Sequence, residues 1–330
     1  MNKINNPIIA LAPMDGVTDY PYRAMVEKYS PIVNMFFTEF VPVQGFFSRP
    51  KLFIPKLLFK RSNNKNILQV FGKATQHEYF RKITHIAKYA GFDGIDLNIG
   101  CPDRAVVKSG AGCALINDEL SVKQIIDSIK LANKEPILID DKIKELIDFW
   151  RNKKELLNEP KNRLTISIKT RSGINQTASD KWWKFLDSLQ LDFISIHFRT
   201  QKQGYTGSPN WTQGAKLVKL MKTPIIGNGD IGKISEKCAV NNLQKFLENK
   251  LRYTPVGIMV GRAFMGNPAL LSDKPIIINK ETQLKYLREH LEFEQQIREI
   301  NPNTQKRLIN MYIRNFEGSK ELRDEMISDT

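Results

Sequence analysis

The stretch Gly94-Ile-Asp-Leu-Asn-Ile-Gly-Cys-Pro102 joins an apolar strand pattern to a polar turn that carries a lone cysteine. Residues 94–97 predict a buried strand, and Asn98 and Cys101 follow where that strand ends. The glycine and the proline on either side of the cysteine shape the turn, so we expect the thiol to be held in one place. Such a cysteine is either a reactive group or an accident, and the other strands of the chain decide between the two.

Apolar runs of this kind recur along the chain, each followed by a longer helical pattern. Eight runs predict strands, at residues 8–11, 33–38, 67–71, 94–97, 164–169, 193–197, 224–227 and 257–260. Amphipathic segments between them predict helices at residues 22–29, 78–89, 122–131, 179–189 and 211–221. Strand–helix alternation with nearly continuous apolar strands indicates a buried parallel sheet, and eight units favour an α/β fold of the (β/α)8 TIM-barrel type. No Gly-x-Gly-x-x-Gly follows the first strand, which weakens the alternative of a doubly wound sheet.

Two regions lie outside a minimal barrel. Residues 136–163 form a charged, helix-prone insertion before the fifth strand, and the strand–helix rhythm stops after Leu271. Two helical patterns follow, at about residues 281–300 and 303–328. We therefore expect a barrel domain over residues 1–275 and a small helical domain over residues 276–330.

Composition narrows the class of protein. The chain has 330 residues and is 41% hydrophobic, enough to bury a full core. No stretch reaches the roughly 18–20 uninterrupted apolar residues of a membrane span, and the N-terminus lacks the apolar core of a signal peptide. The cysteines Cys101, Cys113 and Cys238 are an odd set without metal-ligand spacing. We expect a cytoplasmic protein with free thiols, no metal site and no membrane contact.

The positive charge of the chain is unevenly distributed. The formal net charge is +15, and the segments 40–77 and 193–229 contain lysines and arginines but no aspartate or glutamate. Concentrated positive surface is typical of contact with a polyanion such as nucleic acid, and the alternative is a merely solvated basic surface.

If the fold is a barrel, its active site lies at the carboxyl ends of the strands. Almost every predicted strand ends there in a polar or glycyl residue, which structural proteins rarely show. The residues at these ends are Pro13, Met14 and Asp15, then Glu39, Gln69, Asn98, Cys101, Lys169, Arg171, His197 and Arg199, and finally Asn228, Gly229, Asp230, Gly261 and Arg262.

The glycines after the last two strands predict a phosphate site. Backbone N–H groups at Gly229 and Gly261, with Arg262 nearby, are suited to a phosphomonoester. The alternative is that Gly-Asn-Gly-Asp is an ordinary turn.

Lys169 and His197 interrupt apolar runs, where a buried charge or an unpartnered imidazole is costly. Both are therefore candidates for a functional site. The alternatives are an ion pair with Asp96 or Glu39 for the lysine, and a backbone carbonyl partner for the histidine.

On these residues the chain resembles the tRNA-dihydrouridine synthases, from Ala12 to about Leu271. Each matching segment is weak alone, but seven in the right order at strand ends make a specific signal. The segments are Ala12-Pro-Met-Asp-Gly-Val-Thr-Asp19, Thr38-Glu-Phe-Val41, Asn98-Ile-Gly-Cys-Pro102 followed by Lys108-Ser-Gly-Ala-Gly112, Ile168-Lys-Thr-Arg171, His197-Phe-Arg-Thr200, Gly227-Asn-Gly-Asp-Ile231 and Gly261-Arg262.

The resemblance implies an FMN-dependent reduction of particular uridines in folded tRNA, with NADPH reducing the flavin. It also implies the residues that bind the cofactor. These are Pro13, Met14 and Asp15 along the flavin, Gln69 and Lys169 at its ring with His197 close by, and Asn228, Gly229, Asp230, Gly261 and Arg262 at its phosphate.

The same resemblance makes Cys101 the general acid. Hydride arriving at C6 of the uracil leaves enolate character that needs a proton at C5, and a cysteine supplies it only while it is a thiol. Asn98 is expected to hold the uracil edge, and Arg171 or Arg199 to meet a carbonyl or a phosphate. The target base must leave the tRNA stack to reach a barrel mouth. We expect a monomer that binds tRNA partly through residues 276–330 and needs no protein partner.

Three features differ from the family's usual pattern. Phe198 stands between His197 and Arg199 where a small residue is usual, residues 136–163 are an unusual insertion, and the helical appendage is short and not basic. We therefore expect the two acid-free segments to carry more of the RNA contact, with Lys56, Lys60 and Arg61 as the residues to neutralise.

Two other classes of function compete with this interpretation. A flavin barrel that acts on free pyrimidines also places a cysteine near flavin and substrate, but it needs neither a basic surface nor a helical tail. A non-catalytic RNA-binding protein has no use for a thiol at the barrel mouth, and a purely structural protein explains even less of the pattern.

Overall fold

A closed parallel barrel is the centre of the molecule. The computed structural model describes residues 7–232, 248–254, 256–274 and 276–330. Its strands are β1 (Ile8–Leu11), β2 (Met35–Phe37), β3 (Val41–Pro42), β4 (Lys65–Phe71), β5 (Gly94–Ile99), β6 (Thr165–Arg171), β7 (Phe193–His197), β8 (Ile225–Asn228) and β9 (Gly257–Val260). They pair in the order β2-β1-β9-β8-β7-β6-β5-β4-β3, and β2 also pairs with β4. This pairing closes eight strands into a ring, with the two-residue β3 beside β4, and it confirms the predicted (β/α)8 TIM barrel.

The strand register decides which side chains fill the barrel. Residues paired in register on neighbouring parallel strands point to the same face, and successive residues alternate between faces. The lower part of the interior is apolar and is filled by Ala10, Ala12, Met35, Phe37, Ile67, Phe193, Ile226 and Met259. Two residues further along the strands, the inward positions become polar, so the site begins where this apolar plug ends.

Helices surround the barrel and cover the outward strand faces with a large apolar cluster. The described α-helices before the C-terminal region are Tyr20–Tyr29, Val43–Ser48, Pro50–Leu57, His77–Ala90, Arg104–Lys108, Glu119–Lys134, Asp141–Lys153, Asp180–Ser188 and Trp211–Leu220. The helix predicted at 122–131 begins three residues earlier, because the Asp118 carboxylate accepts the backbone N–H of Ser121 as its N-cap. The adjacent residues Trp182 and Trp183 are buried in the core.

The predicted insertion contains helix Asp141–Lys153, which packs on the outside of the barrel. The Arg151 side chain donates to the Asp148 carboxylate and to the backbone oxygens of Asn158 and Tyr89. Tyr89 donates its hydroxyl to Asp148 at 2.8 Å. The insertion is therefore bound to helix His77–Ala90, away from the carboxyl ends of the strands.

In the described part of the chain, the last barrel strand is followed by three α-helices, Lys280–Gln295, Pro302–Tyr312 and Ser319–Ser328. The single helix pattern predicted at 303–328 is wrong in this respect, because the chain turns between the last two helices. Asn315 and Gly318 adopt left-handed conformations there, with φ of 65° and 74°. Buried residues of these helices, such as Tyr286 and Tyr312, belong to the same apolar cluster as the barrel helices. The domain boundary predicted at residue 275 lies outside the described residues.

A buried charge cluster joins these helices to the barrel. The Asp19 carboxylate accepts from Arg298 at 3.2 Å and from Arg307 at 3.1 Å, and both arginines also bind Glu294. His290 lies beside them, with its Nδ1 3.0 Å from the hydroxyl of Tyr312. Because Asp19 follows β1, the helices are attached to the loop after β1.

Within the described residues, no helix is both long enough and apolar enough to cross a membrane.

Candidate active site

A cavity of about 870 Å³ opens at the carboxyl ends of the strands. All the strand-end residues named from the sequence line it except Glu39, Gln69 and Arg199. The lining predicted residues are Pro13, Met14, Asp15, Asn98, Cys101, Lys169, Arg171, His197, Asn228, Gly229, Asp230, Gly261 and Arg262. Strands far apart in the chain thus contribute to one mouth, as the fold class requires.

Cys101 lies in a tight turn at the end of β5. The Asn98 Oδ1 accepts the backbone N–H groups of Gly100 and Cys101, each at 3.0 Å. From the other side, the Cys101 carbonyl accepts the backbone N–H of Cys113 at 3.0 Å. Gly112 approaches so closely that a Cβ there would lie 2.8 Å from that carbonyl oxygen, and its φ is +59°. The backbone around the thiol is therefore fixed from two directions.

The thiol itself is partly buried and protonated. Burial raises the pKa of Cys101, and the backbone N–H of Asp103 and the cations of Lys169 and Arg171 only partly offset this. Cys113 is fully buried, and burial raises its pKa to about 12. Cys113 is thus a core packing residue, whereas Cys238 lies outside the described residues.

Gln69 lies under the cavity. It is fully buried, its Nε2 donates to the Asp96 carboxylate at 2.7 Å, and its Oε1 accepts from Asn98 Nδ2 at 2.9 Å. Both ends of this amide are therefore occupied within the protein. The amide groups of Gln69 and Asn98 support the floor of the cavity in this structure.

Lys169 supplies positive charge within the cavity, and His197 lines the same cavity as a neutral group. Burial, aided by Arg171, lowers the pKa of Lys169 to about 8. Burial and four neighbouring cations lower the pKa of His197 well below its usual range, so the imidazole is neutral. Among the described residues, no carboxylate lies within 4 Å of the Lys169 ammonium, so the ion pairs with Asp96 or Glu39 weighed above are not formed. An unpaired, partly buried ammonium fits a ligand that presents a carbonyl or an anion.

The glycines after β8 and β9 bring the backbone close to the cavity. Gly229 has a φ of 134°, and a Cβ there would lie 2.7 Å from the Pro209 side chain. Arg262 reaches Asp230 at 3.0 Å and is 40% exposed, so its guanidinium remains accessible. These backbone and arginine groups suit a phosphate group, as the sequence predicts.

Arg199 does not line the cavity. It is completely buried, and its guanidinium binds both oxygens of Asp230, at 2.9 and 2.5 Å. It also donates to the backbone oxygens of Thr206 and Gly207. Because these partners occupy it, Arg199 holds the loop after β7, and its contact with substrate stays a prediction. Arg171 does line the cavity, although it too donates to backbone oxygens, those of Gly100, Thr200 and Gly204.

Sequence reasoning missed Tyr205, which lies in the loop after β7 and is 57% exposed. Its ring lies 4.2 Å from the guanidinium carbon of Arg262, an arrangement typical of a cation–π contact. An aromatic residue directly after Gly204 and shortly before Gly207, in a loop that follows a strand end, is the signal that could have revealed it. Phe198 points away from the cavity, since its buried ring packs 5.0 Å from the ring of Trp211.

Of the three basic residues singled out in the first acid-free segment, Lys56 and Arg61 bind other groups of the protein, whereas Lys60 is exposed. The Lys56 ammonium binds Asp15 at 2.9 Å and Glu39 at 3.3 Å. Arg61 donates to the backbone oxygens of Arg151 and Leu157, and thus binds the insertion. Neutralising Lys56 or Arg61 would therefore also disturb the cavity wall or the insertion, and the RNA contact expected of this segment stays a prediction. Further exposed basic residues that follow strand ends are Arg104 and Lys108, and Lys202 of the second acid-free segment.

Comparisons with known proteins agree on one family. The family model described as "Dihydrouridine synthase (Dus)" matches residues 10–158 and 154–328. A relative from Staphylococcus aureus strain Mu50, named probable tRNA-dihydrouridine synthase, is 26% identical over 99% of this chain and 90% of its own length. A Bacillus subtilis relative, named probable tRNA-dihydrouridine synthase 2, is 25% identical over 99% of this chain and 91% of its own.

Among solved structures, an old yellow enzyme homologue from Zymomonas mobilis is similar, with 12% identity and a TM-score of 0.44 over 81% of this chain and 87% of its own. With so low a TM-score, the fold assignment rests on the strand order itself.

Proposed function

This chain belongs to the dihydrouridine synthase family, and we propose that it reduces the C5–C6 double bond of uridines in tRNA with bound FMN and NADPH as reductant. The observation that carries the proposal is a protonated thiol, Cys101, in the same cavity as the unpaired ammonium of Lys169. The names of the relatives supply the substrate class, and the net charge of +15 suits a polyanionic partner.

The residues present fit FMN. The Lys169 ammonium is suited to bind the flavin ring. The neutral His197 in the same cavity adds no further positive charge there. Gly229, Gly261 and Arg262 suit the phosphate. Pro13 and Met14 offer apolar contact from the loop after β1. When bound and reduced, FMN supplies hydride to C6 of the uracil ring.

Cys101 donates the proton. As hydride reaches C6, electron density builds at C5 and at the O4 carbonyl, and the Sγ proton moves to C5 to complete the saturated ring. A site for this task keeps the thiol protonated, and burial does so here by raising the pKa of Cys101. The thiolate left behind lies near Lys169 and Arg171, whose charges stabilise it until a solvent proton restores the thiol.

Other groups at the cavity are suited to orient the target base. Arg171 lines the cavity beside Cys101 and is expected to meet a uracil carbonyl. Tyr205 and Arg262 form an exposed stacked pair at the cavity wall, which suits a base that has left the tRNA stack.

The experiment uses the purified protein, FMN, NADPH and an unmodified tRNA transcript, followed by nuclease digestion and mass mapping. We expect a gain of two hydrogens at defined uridines. Free uridine monophosphate, incubated in parallel, tests the competing enzyme class. Reduction of the monophosphate without any change in the tRNA would overturn the proposed substrate, whereas no reduction of either would overturn the proposed reaction.

A further inference from the structure

The barrel interior below the cavity contains a polar layer that the proposed reaction does not use. Gln69, Asp96 and Ser167 occupy neighbouring inward positions on β4, β5 and β6, since Gln69 pairs with Asp96 and Asp96 with Ser167 in register. Their exposed fractions are 0%, 0% and 1%. Burying a carboxylate this deeply costs free energy unless hydrogen bonds satisfy it, so its presence needs a physical reason.

Hydrogen bonds run from this carboxylate to the backbone of the cysteine turn. Asp96 accepts the Ser167 hydroxyl at 2.6 Å on one oxygen and Gln69 Nε2 at 2.7 Å on the other. Gln69 Oε1 accepts Asn98 Nδ2 at 2.9 Å. Asn98 Oδ1 in turn accepts the backbone N–H of Cys101 at 3.0 Å. We call Asp96, Gln69 and Asn98 the amide relay.

The chemistry of the two ends fixes the direction of every bond in the relay. An ionised carboxylate only accepts hydrogen bonds, and a backbone N–H only donates them. Gln69 must therefore turn its NH₂ group toward Asp96, which leaves its oxygen for Asn98. Asn98 must then donate to Gln69, which leaves its own oxygen for the turn. Each amide has one orientation that satisfies both neighbours.

We propose that Asp96 is a positioning residue for Cys101, because its carboxylate sets the orientation of the Gln69 and Asn98 amides that hold the cysteine turn. The importance of that turn for catalysis rests on the proposed function, but the positioning itself does not. Lys169 lies close enough to favour the ionised form of Asp96, although burial raises the pKa of this carboxyl to about 6.

The test measures how well the turn protects the thiol, without tRNA or NADPH. Purified variants with bound FMN are treated with iodoacetamide, and mass spectrometry of the cysteine peptides gives an alkylation rate for each cysteine. In Asp96→Leu the carboxylate is replaced by an apolar side chain of similar size. We expect Cys101 to be alkylated about tenfold faster than in the wild type, because a loosened turn exposes the thiol.

Three comparisons separate positioning from general damage. Ser167→Ala removes the other hydrogen bond to the same carboxylate, and should leave the Cys101 rate within about threefold of wild type. Asp96→Asn keeps an oxygen for Gln69 and should restore most of the protection. Cys113, which is 0% exposed, reports on the folded barrel in every sample.

An unchanged Cys101 rate in Asp96→Leu with Cys113 still protected would overturn the proposal, and so would equal acceleration by Ser167→Ala. If Asp96→Leu exposes Cys113 as well, the Gln69→Met variant is used in place of Asp96→Leu. This substitution breaks the amide relay and leaves Asp96 unchanged. Faster Cys101 labelling with Cys113 protected then supports the proposal, and no acceleration contradicts it. Turnover measured afterwards should show a lower kcat with an unchanged KM for tRNA. Failure of every sample to reduce tRNA would count against the proposed function alone.

Discussion

The side-chain oxygen of Asn98 accepts the backbone N–H of Cys101 at 3.0 Å and that of Gly100 at the same distance. One amide thus satisfies one buried and one partly buried donor at the point where β5 becomes a turn. The same amide donates to Gln69, so its three hydrogen bonds connect the strand interior to the turn that carries the thiol.

Replacing this amide should be costly even without substrate. Asn98→Ala leaves two backbone N–H groups and the Gln69 oxygen without partners, and we expect the free energy of unfolding to fall by about 1–3 kcal/mol. Urea unfolding followed by circular dichroism measures the loss. Superimposable unfolding curves for the variant and the wild type would show that the turn does not depend on Asn98.

Arg199 and Arg262 both bind Asp230, but replacing them should lower the stability of the protein by different amounts. Arg199→Ala removes the hydrogen bonds from a fully buried guanidinium to Asp230 and to the loop after β7, while Arg262 still binds Asp230, and we expect stability to fall by about 1–3 kcal/mol. Arg262→Ala breaks a more exposed pair and should cost about 0–1 kcal/mol. Arg262→Ala should instead weaken FMN binding, measured by quenching of flavin fluorescence. A stable Arg199→Ala protein with weakened tRNA binding would restore the substrate-contacting role predicted from the sequence.

Replacing Lys169 should stabilise the flavin-free protein and weaken its binding of FMN. Lys169→Met removes a partly buried, unpaired ammonium, so the flavin-free variant should be more resistant to urea than the flavin-free wild type. Its affinity for FMN should fall by about tenfold or more. Equal FMN affinity in the two proteins would exclude Lys169 from the flavin site.

The pH dependence of this comparison has a definite sign. The pKa of Lys169 is about 8 in the folded protein, whereas its ordinary value, expected in the unfolded chain, is 10.5. Between pH 8 and pH 10.5 the unfolded chain therefore binds more protons than the folded protein. The stability of the wild type relative to Lys169→Met should therefore rise as pH increases from 8 to 10.5. A constant difference in urea midpoint over that interval would show that the lysine is not perturbed by burial.

The tRNA surface should be at the carboxyl end of the barrel. Arg104, Lys108 and Lys202 are exposed in segments that follow strand ends. Their triple alanine variant should bind tRNA more weakly, and the salt dependence of log Kd should fall by about 2–3 in slope.

Lys219 and Lys222 provide the matched control, because they are exposed just before β8, at the opposite end of the barrel. Their double alanine variant should bind tRNA like the wild type in filter-binding assays across salt concentrations. A stronger effect of this control than of the triple variant would place the RNA on another face.

Much of this architecture could be predicted because short patterns of apolar and polar residues determine where the strands begin and end. The strands at 8–11, 193–197 and 257–260 have the predicted bounds, since apolar runs with sharp polar ends define buried parallel strands. Most predicted site residues meet in one cavity for the same reason, because the closed barrel brings strand ends together.

The remaining features depend on contacts that are distant in sequence. Arg199 looks like a ligand-binding residue along the chain, and only the loop after β7 and Asp230 reveal that its guanidinium is occupied. Likewise, only the folded barrel shows that Gln69 donates a hydrogen bond to the Asp96 carboxylate. The attachment of Lys56 to Asp15 and Glu39 likewise arises from the folded loops.

The protonating role of Cys101 is the centre of this account, and a single-turnover experiment tests it most directly. Enzyme with pre-reduced FMN is mixed with tRNA, and both flavin reoxidation and dihydrouridine are followed for the wild type and Cys101→Ala. We expect both rates in the variant to be about 10²–10⁴-fold lower, while FMN affinity and reduction by NADPH are unchanged. Dihydrouridine formation by Cys101→Ala at the wild-type rate would contradict the account.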